Sequence, residues 1–526
     1  MMMTRLKKVF LWFITIVLFL AISLFLYGYF QLKDRHPDYH VDLSIKSGTP
    51  GDLKLGFSAQ SITPEIIDTW TDVNGDAQYK EEDGDTYQDN NNNGQFDAYW
   101  IAGFSHKRAA NGINDKLWAR TMVIDDGATR IAIVAIDAIG FGNDDVIAAK
   151  KLIPKESGIT YSIITSSHTH ESPDLLGLWG ESNFKSGINP DYMELVRTQI
   201  AKSVAEAVKN LRPAKLKVAQ DLSGALPMLG DTRQPEVYDE GLRLIQAVDL
   251  EADTTLGTLL SWANHPETVW SDNLLITSDF PHYFRDGIEN GVYDGDSLVA
   301  KGLGGIAVYV NGAIGGLMTT HPSTPIHHPF TEEELLEPTF AKVEAQGKEL
   351  ALLSLAALDS SQHWIAQSSI ALEAKSIALP LDNPLFRLAA FLGVLDRGMV
   401  GWMKMRSEVA AWTMGPISFI HMPGEIYPEI INGGVEAPEG QDFSIQPQEI
   451  PPLREVMPGD FKFVVGLSND MIGYIVPKSQ WDKAAPFTYG DEDGPYGEIN
   501  SVGPETAPIL HREVMNLLSR LDENAN

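Results

Sequence analysis

Histidines two residues apart on an extended segment project to the same side, roughly 6–7 Å apart along the backbone, so both can face one reacting centre. The sequence has such a pair in Ser166-Ser-His-Thr-His-Glu-Ser-Pro-Asp174, directly after the apolar run Tyr161-Ser-Ile-Ile-Thr165. Another histidine follows a second apolar run in Trp262-Ala-Asn-His265-Pro-Glu267. One imidazole of such a set can ligate a metal while its neighbour faces the reacting atoms. A catalytic zinc takes three or four nitrogen or oxygen ligands and keeps room for water. His168, His170 and His265 come from a chain with only 13 histidines, whereas carboxylates are abundant. Spacing alone does not say which carboxylate would complete the set. With no cysteine in the chain, thiolate ligands, disulfides and a cysteine nucleophile are excluded. Ligands must come from His, Asp, Glu, Tyr or carbonyl oxygen.

A second metal-like pattern uses oxygen. Asp89, Asn91, Asn93, Gly94, Gln95 and Asp97 occupy positions 1, 3, 5, 6, 7 and 9 of a D-x-N-x-N-G-x-x-D loop. Alternating side-chain oxygens and one carbonyl can wrap a hard cation such as calcium, with the glycine taking the sharp turn. A complete EF-hand loop would have Glu at position 12, where this chain has Trp100. Asp72, Asn74 and Asp76 begin a similar loop that Asp83 and Asp85 could complete. The expectation is a structural calcium site; the alternative is a solvated acidic loop.

These residues need a scaffold. Apolar runs at 129–139, 160–165, 256–263, 306–311, 417–422 and 461–467 read as strands. Met193, Val196, Ile200, Val204, Ala207 and Val208 recur at three- and four-residue steps, predicting a helix over 190–211. A second helix is predicted over 332–358. The alternation predicts an α/β fold, one large mixed α/β domain behind an N-terminal transmembrane helix; with a metal on its histidines the domain would be metallohydrolase-like. It spans 53–520, carries the acidic Asn/Gly-rich insert 72–97, and is followed by a short tail at 521–526. The apolar stretch 384–412, broken by Asp396, Arg397, Lys404 and Arg406, reads as a core helical hairpin or, alternatively, an apolar lip for a lipid.

The N-terminus indicates where the domain works. Arg5, Lys7 and Lys8 precede an apolar run over residues 9–30. At ~1.5 Å per residue such a run spans about 33 Å, enough for a bilayer core. The basic flank keeps the N-terminus cytoplasmic, which predicts a signal anchor over 1–31, a tether over 32–52, and a periplasmic or extracellular catalytic domain. A cleaved signal peptide is the alternative. A net charge of −31 repels a phosphate backbone, so nucleic acid is excluded as a partner. No protein partner is inferred.

Taken in order, the motifs resemble the neutral (non-lysosomal) ceramidase family. Ser166 to Pro173 resembles its T-H-T-H-S-G-P signature. Asn264-His265-Pro266 followed by Ser278-Asp279 resembles its second zinc-histidine region. His421-Met-Pro-Gly-Glu425 resembles the segment that supplies a carboxylate ligand, and Asn469-Asp-Met-Ile-Gly-Tyr474 the one that supplies a tyrosine ligand. Tyr496-Gly-Glu with Gly503-Pro504 resembles the Y-E-G-x-x-x-x-G-P stretch. The resemblance implies Zn2+ held by His168, His265, Glu425 and Tyr474, with His170 as general acid/base. It implies Arg233, in Asp231-Thr-Arg-Gln-Pro235, polarising the scissile carbonyl, and Tyr496 stabilising the oxyanion. The chemistry is coherent for an amide, a poor electrophile. A Lewis acid acidifies water and polarises the carbonyl, and donors meet the developing charge. An imidazole of pKa about 6.5 can move the proton.

The sequence also departs from that family. Its G-D-x-S-P serine segment corresponds to Tyr309-Val-Asn-Gly-Ala-Ile-Gly-Gly-Leu317, where Ile314 or Gly315 takes the serine's place. Glu171 replaces the serine after the His-x-His, and Glu267 adds a carboxylate beside His265, favouring a cationic or hydroxyl-rich head group or a second cation. The family's C-terminal β-sandwich is expected to be missing, and the anchor would take over its role of holding the enzyme near lipid. Three functions follow: a membrane-anchored zinc amidohydrolase of ceramide or a related lipid, a zinc hydrolase of another amide or ester, and a catalytically silent calcium-stabilised lipid- or glycan-binding protein.

Overall fold

The computed structural model describes residues 2–316, 318–490 and 494–525, with side chains described from Lys7 to Asp522. Leu317, which closes the altered serine turn, and the Arg5 side chain lie outside the described residues. In chain order the elements that matter here begin with helix α1 (Met2–Leu32), β1 (Asp42–Ile45), β2 (Lys54–Ser61), β3 (Trp118–Asp125) and β4 (Arg130–Ile136). Next come α2 (Asn143–Leu152), β5 (Tyr161–Ser166), α3 (Pro190–Lys209), β6 (Arg212–Asp221), β7 (Leu242–Asp249) and β8 (Thr255–Trp262). They continue with α4 (Phe280–Asn290), β9 (Ile306–Asn311), α5 (Phe340–Ser360), β10 (Ile370–Pro380) and α6 (Pro384–Leu392). The last are β11 (Lys404–Met414), β12 (Ile417–His421), β13 (Glu425–Ile426), β14 (Phe461–Val465), β15 (Tyr474–Ile475) and α7 (Thr506–Ala525).

Two sheets face each other. The larger runs β9-β8-β7-β6-β2-β3-β4-β5, with a ninth strand, His363–Ile365, on β6. Its end pairs, β8 with β9 and β4 with β5, are parallel. The smaller runs β1-β10-β11-β12-β14, with β12 and β14 parallel. Phe57, Ile133, Ile163 and Val308 from one sheet pack with Trp412, Phe419 and Phe463 from the other. Helices α2 and α3 cover the outer face of the larger sheet over β2 to β4, α4 and α5 cover it over β6 to β9, and α7 covers the smaller sheet. The result is a helix-sheet-sheet-helix stack.

The larger sheet curls until its two ends meet. The buried Asn311 amide, at the end of β9, donates to the carbonyls of Ser167 (2.9 Å), past β5, and Asn264 (2.8 Å), past β8. Its side-chain oxygen accepts from the Asn264 and Gly312 backbone N–H groups. One asparagine thus joins both histidine segments, which lie at opposite ends of the strand order.

Three expectations need correction. The stretch read as a tether is partly built into the sheet: Val41, Leu43 and Ile45 alternate and pack on the inter-sheet core, and Asp42–Ile45 pairs with β10. The predicted helix over 332–358 starts at Phe340, because Pro338 disfavours helix before it and Thr339 then caps the new N-terminus. Residues 334–335 instead pair with 326–327. The stretch 384–412 is not a helical hairpin. Gly393, at φ +76, ends α6, and the chain returns as strand β11, buried on both faces and therefore without an alternating signature.

Candidate metal centre

The strands β5, β8, β12 and β14 all release their chains at one place between the sheets. His168 follows β5, His265 follows β8, Glu425 follows β12 and Tyr474 follows β14. The ligating atoms of His168, His170 and His265 lie within 4.8 Å of one another, all buried. His265 Nε2 is 3.1 Å and His168 Nε2 3.6 Å from Glu425 Oε2. Glu425 and Tyr474 are direct partners in the parallel pair β13–β15, so the carboxylate and the phenol enter the site side by side.

Backbone carbonyls orient the imidazoles. His168 Nδ1 donates to the Ile139 carbonyl (2.6 Å) and His265 Nδ1 to that of Met318 (2.8 Å), turning both Nε2 lone pairs inward. Fixing one ring nitrogen on a carbonyl is how proteins present the other to a metal. His168 adopts φ +73, an uncommon conformation for a side-chain-bearing residue, while its N–H bonds the Ala138 carbonyl. Such strain is typical of positions that a site constrains.

His170 is held differently. Its Nε2 lies 3.3 Å from His168 Nε2, while its Nδ1 is 3.0 Å from Glu267 Oε2. Thr319 anchors the other Glu267 oxygen at 2.6 Å. Burial pulls the His170 pKa down to about 4 against the raising effect of Glu267. Burial opposes ionisation of Glu267, but His170 and His265 outweigh it and hold the carboxyl at about 2. Glu425 is likewise pulled well below the carboxylate range by His168 and His265 despite its burial. Two imidazole nitrogens in near contact beside ionised carboxylates form a donor set that fits a divalent cation.

Of the two extra carboxylates, only Glu267 reaches the cluster. Glu171 is turned into a buried pair with Arg108 (3.2 Å) and accepts from Asn273 (2.8 Å); burial pushes its pKa up to about 8. Arg108 also donates to the His170 carbonyl, bracing the His-x-His segment from below. Neither Arg108 nor Asn311 had a signal in spacing.

The cluster lies in a cleft with apolar walls that include Leu175, Phe386, Leu395 and Met405. Tyr496, half exposed, stands over Tyr474 with ring centroids 5.8 Å apart. Arg233 is not beside the histidines. It ion-pairs with the buried Glu429, stacks on the Tyr427 ring at 4.0 Å, and lines a neighbouring pocket that shares Tyr496 with the cleft. His421 is a core residue, accepting from Trp412 Nε1 at 2.9 Å.

The altered serine turn is packed solid. Ile314 is fully buried. Gly315 donates its N–H to the Ile426 carbonyl at 2.8 Å, and a Cβ there would come within 2.3 Å of the Glu425 carbonyl. No side chain fits at 315 without moving the strand that carries Glu425.

The oxygen-rich loops do not line the cleft; residues 90–95 are exposed, whereas Asp85 of the upstream loop is buried. Asp89 accepts from the N–H groups of Asn93 and Gly94, Asn91 from Asn93, and Asn93 from Gln95. The Asn91 and Asn93 amides both donate to Asp97. In the upstream loop Asp72 and Asp85 turn onto backbone N–H groups, and Asp83 accepts from Asn74.

No protein-family model matches the sequence, and no curated protein matches it. Solved structures do. A neutral ceramidase from Pseudomonas aeruginosa superposes with a TM-score of 0.60 at 14% identity, covering 90% of this chain and 75% of that one. A ceramidase complexed with C2 gives 0.61 at the same identity and coverage. The chain has the neutral ceramidase fold. The strand exits that gather His168, His265, Glu425 and Tyr474 therefore belong to a fold shared with those enzymes, although only one residue in seven is the same.

Proposed function

We propose that this protein is a membrane-anchored, zinc-dependent hydrolase that cleaves the N-acyl amide bond of ceramide or a related lipid, releasing a fatty acid and an amine base. One observation carries the reading: inward-facing imidazoles and an ionised carboxylate converge on a cleft whose other walls are apolar. In this reading His168, His265, Glu425 and Tyr474 hold the zinc ion. When bound, zinc supplies Lewis acidity toward the carbonyl and lowers the pKa of water. His170 takes a proton at Nε2 and returns it to the departing amine, while Glu267 at Nδ1 fixes the ring and stabilises its cationic form. Tyr496, pushed up to about 12 chiefly by burial, keeps its proton and donates to the carbonyl oxygen as charge develops. Arg233 reaches the carbonyl only by leaving Glu429, so its part is at the rim. Helix α1, long and apolar enough to cross a bilayer, would hold the domain on the outer side.

The packed turn at Ile314 and Gly315 favours a second reading, a zinc hydrolase of a different amide or ester on the same scaffold. The full chain in detergent micelles, assayed on a fluorescent N-acylsphingosine with and without a zinc chelator, separates the two. Hydrolysis lost with the chelator and restored by zinc supports the first. Bound zinc without hydrolysis discards ceramide and moves the search to other amides and esters. Absence of zinc overturns both.

A further inference from the structure

Helix α1 does not end in a free linker. Gly28 lies against the Phe391 ring, where a Cβ would come within 2.4 Å of Cε2, and Tyr27 donates to the Leu392 carbonyl at 2.9 Å. The Leu32 carbonyl accepts from Met399 N–H at 2.9 Å. Beyond it Asp34 pairs with Arg406 (2.6 Å), Arg35 with Asp396 (2.5 Å), and His36 Nε2 contacts the Asp144 carbonyl (2.9 Å). The apolar helix is therefore fixed to segment 385–402, not merely tied to it.

That segment has two apolar sides. Outward, Leu385, Leu388 and Trp402 are 60%, 49% and 88% exposed. Trp402 shares a groove with Phe25, Tyr29 and Phe391, which sets it level with the last two turns of α1. Where a spanning helix ends, side chains at that level meet the bilayer interface, the preferred location of tryptophan. Inward, Phe386 and Leu395 line the same cleft as His168 and Glu425. We propose that segment 385–402 is a lip seated in the outer leaflet of the bilayer that α1 crosses, and that an acyl chain passes along it from the leaflet to the His168 cleft without entering water. The occupant of this apolar face is the leaflet, because the face continues directly from the apolar surface of α1. This deepens the proposed function and rests on α1 spanning the bilayer.

The absence of cysteine makes the test direct. A nitroxide is attached to Trp402→Cys or Leu388→Cys in the full chain in phosphatidylcholine vesicles, and its exposure to oxygen and to a water-soluble nickel chelate is read by electron paramagnetic resonance. Both positions should be reached by oxygen and protected from nickel, with the reverse at Glu251→Cys in an exposed turn of the larger sheet. Nickel access at 402 and 388 in vesicle-bound protein overturns the lip, and failure of the chain to float with vesicles overturns the anchor. Neither readout uses catalysis, so failure of the hydrolase reading is separately visible. If that reading holds, the triple variant Leu385→Ser, Leu388→Ser, Trp402→Ser should lose about tenfold on a long-chain N-acyl lipid embedded in vesicles. It should keep its rate on a water-soluble short-chain amide; an equal loss on both substrates overturns the lip.

Discussion

The histidine cluster and the Asp89–Asp97 loop both look like metal sites by spacing, yet the chain builds them in opposite ways. In the cluster each polar group is oriented by a partner far away in sequence. Ile139 holds His168, Met318 holds His265, and the Gly473 carbonyl accepts from the Glu425 N–H. The ring nitrogens left over face one another inside the protein. In the loop the side-chain oxygens bond to backbone N–H groups two to five residues on, and the loop is open to water. Oxygens that satisfy their own turn gain little further from a cation. Buried imidazole nitrogens that face only one another and the Glu425 carboxylate gain a great deal, because a buried polar group left unpaired costs about 1–3 kcal/mol.

The sharpest way to break the comparison is to remove a ligand. His168→Ala and His265→Ala should each abolish both bound zinc, read by metal analysis, and turnover, since a tetrahedral set does not survive the loss of one member. His170→Ala should instead retain zinc and lose about 10²–10⁴-fold in rate, the worth of a positioned acid/base. Glu267→Gln should follow it in kind with about 10–100-fold, because it orients the ring without touching substrate. If His170→Ala lost zinc while His168→Ala kept it, the roles within the pair would be reversed.

Spacing made part of this legible. His168, His170 and His265 were readable because they sit at the exits of apolar runs, and strand exits are where scaffolds place chemistry. Strands such as β4, β5, β9 and β14 were readable as short apolar blocks. Glu425 and Tyr474 came only through resemblance, since nothing local distinguishes Glu after Pro-Gly or a tyrosine before an isoleucine. Glu267 is legible beside His265, but its partner is not: its carboxylate meets His170 where the His170 N–H bonds the Pro266 carbonyl, across segments nearly a hundred residues apart. Arg108 and Asn311 had no signal at all. Much of their work is done on backbone groups, which every residue has, so only the fold reveals it. Strand β11 escaped for a related reason, being buried on both faces and so lacking the alternation that marks a half-buried strand.

Asn311 sharpens the comparison from the side of the scaffold. Asn311→Ala strands the carbonyls of Ser167 and Asn264 and the N–H groups they neighbour, all buried. Urea unfolding should show a loss of about 3 kcal/mol, and zinc affinity should fall with it, because the two histidine segments lose their shared tie. A loss of stability with zinc affinity intact would mean that Glu425 and the backbone bond between His170 and Pro266 suffice to hold the segments together.

The smallest expected effect lies in the loop. Asp89→Asn and Asp97→Asn should leave zinc content and turnover unchanged, since neither residue approaches the cleft. Their readout is calcium titration by calorimetry. If the unaltered chain binds calcium and each variant weakens it, the loop is a structural cation site whose acidic oxygens release their backbone bonds to take the ion. If the unaltered chain gives no heat with calcium, the turn is complete in itself: Asp89 already closes it through Asn93 and Gly94 N–H, and Gly94 at φ +76 supplies the bend with or without an ion. The same D-x-N-x-N-G spacing serves either purpose, because the geometry that points alternate oxygens at a cation also points them at successive backbone N–H groups.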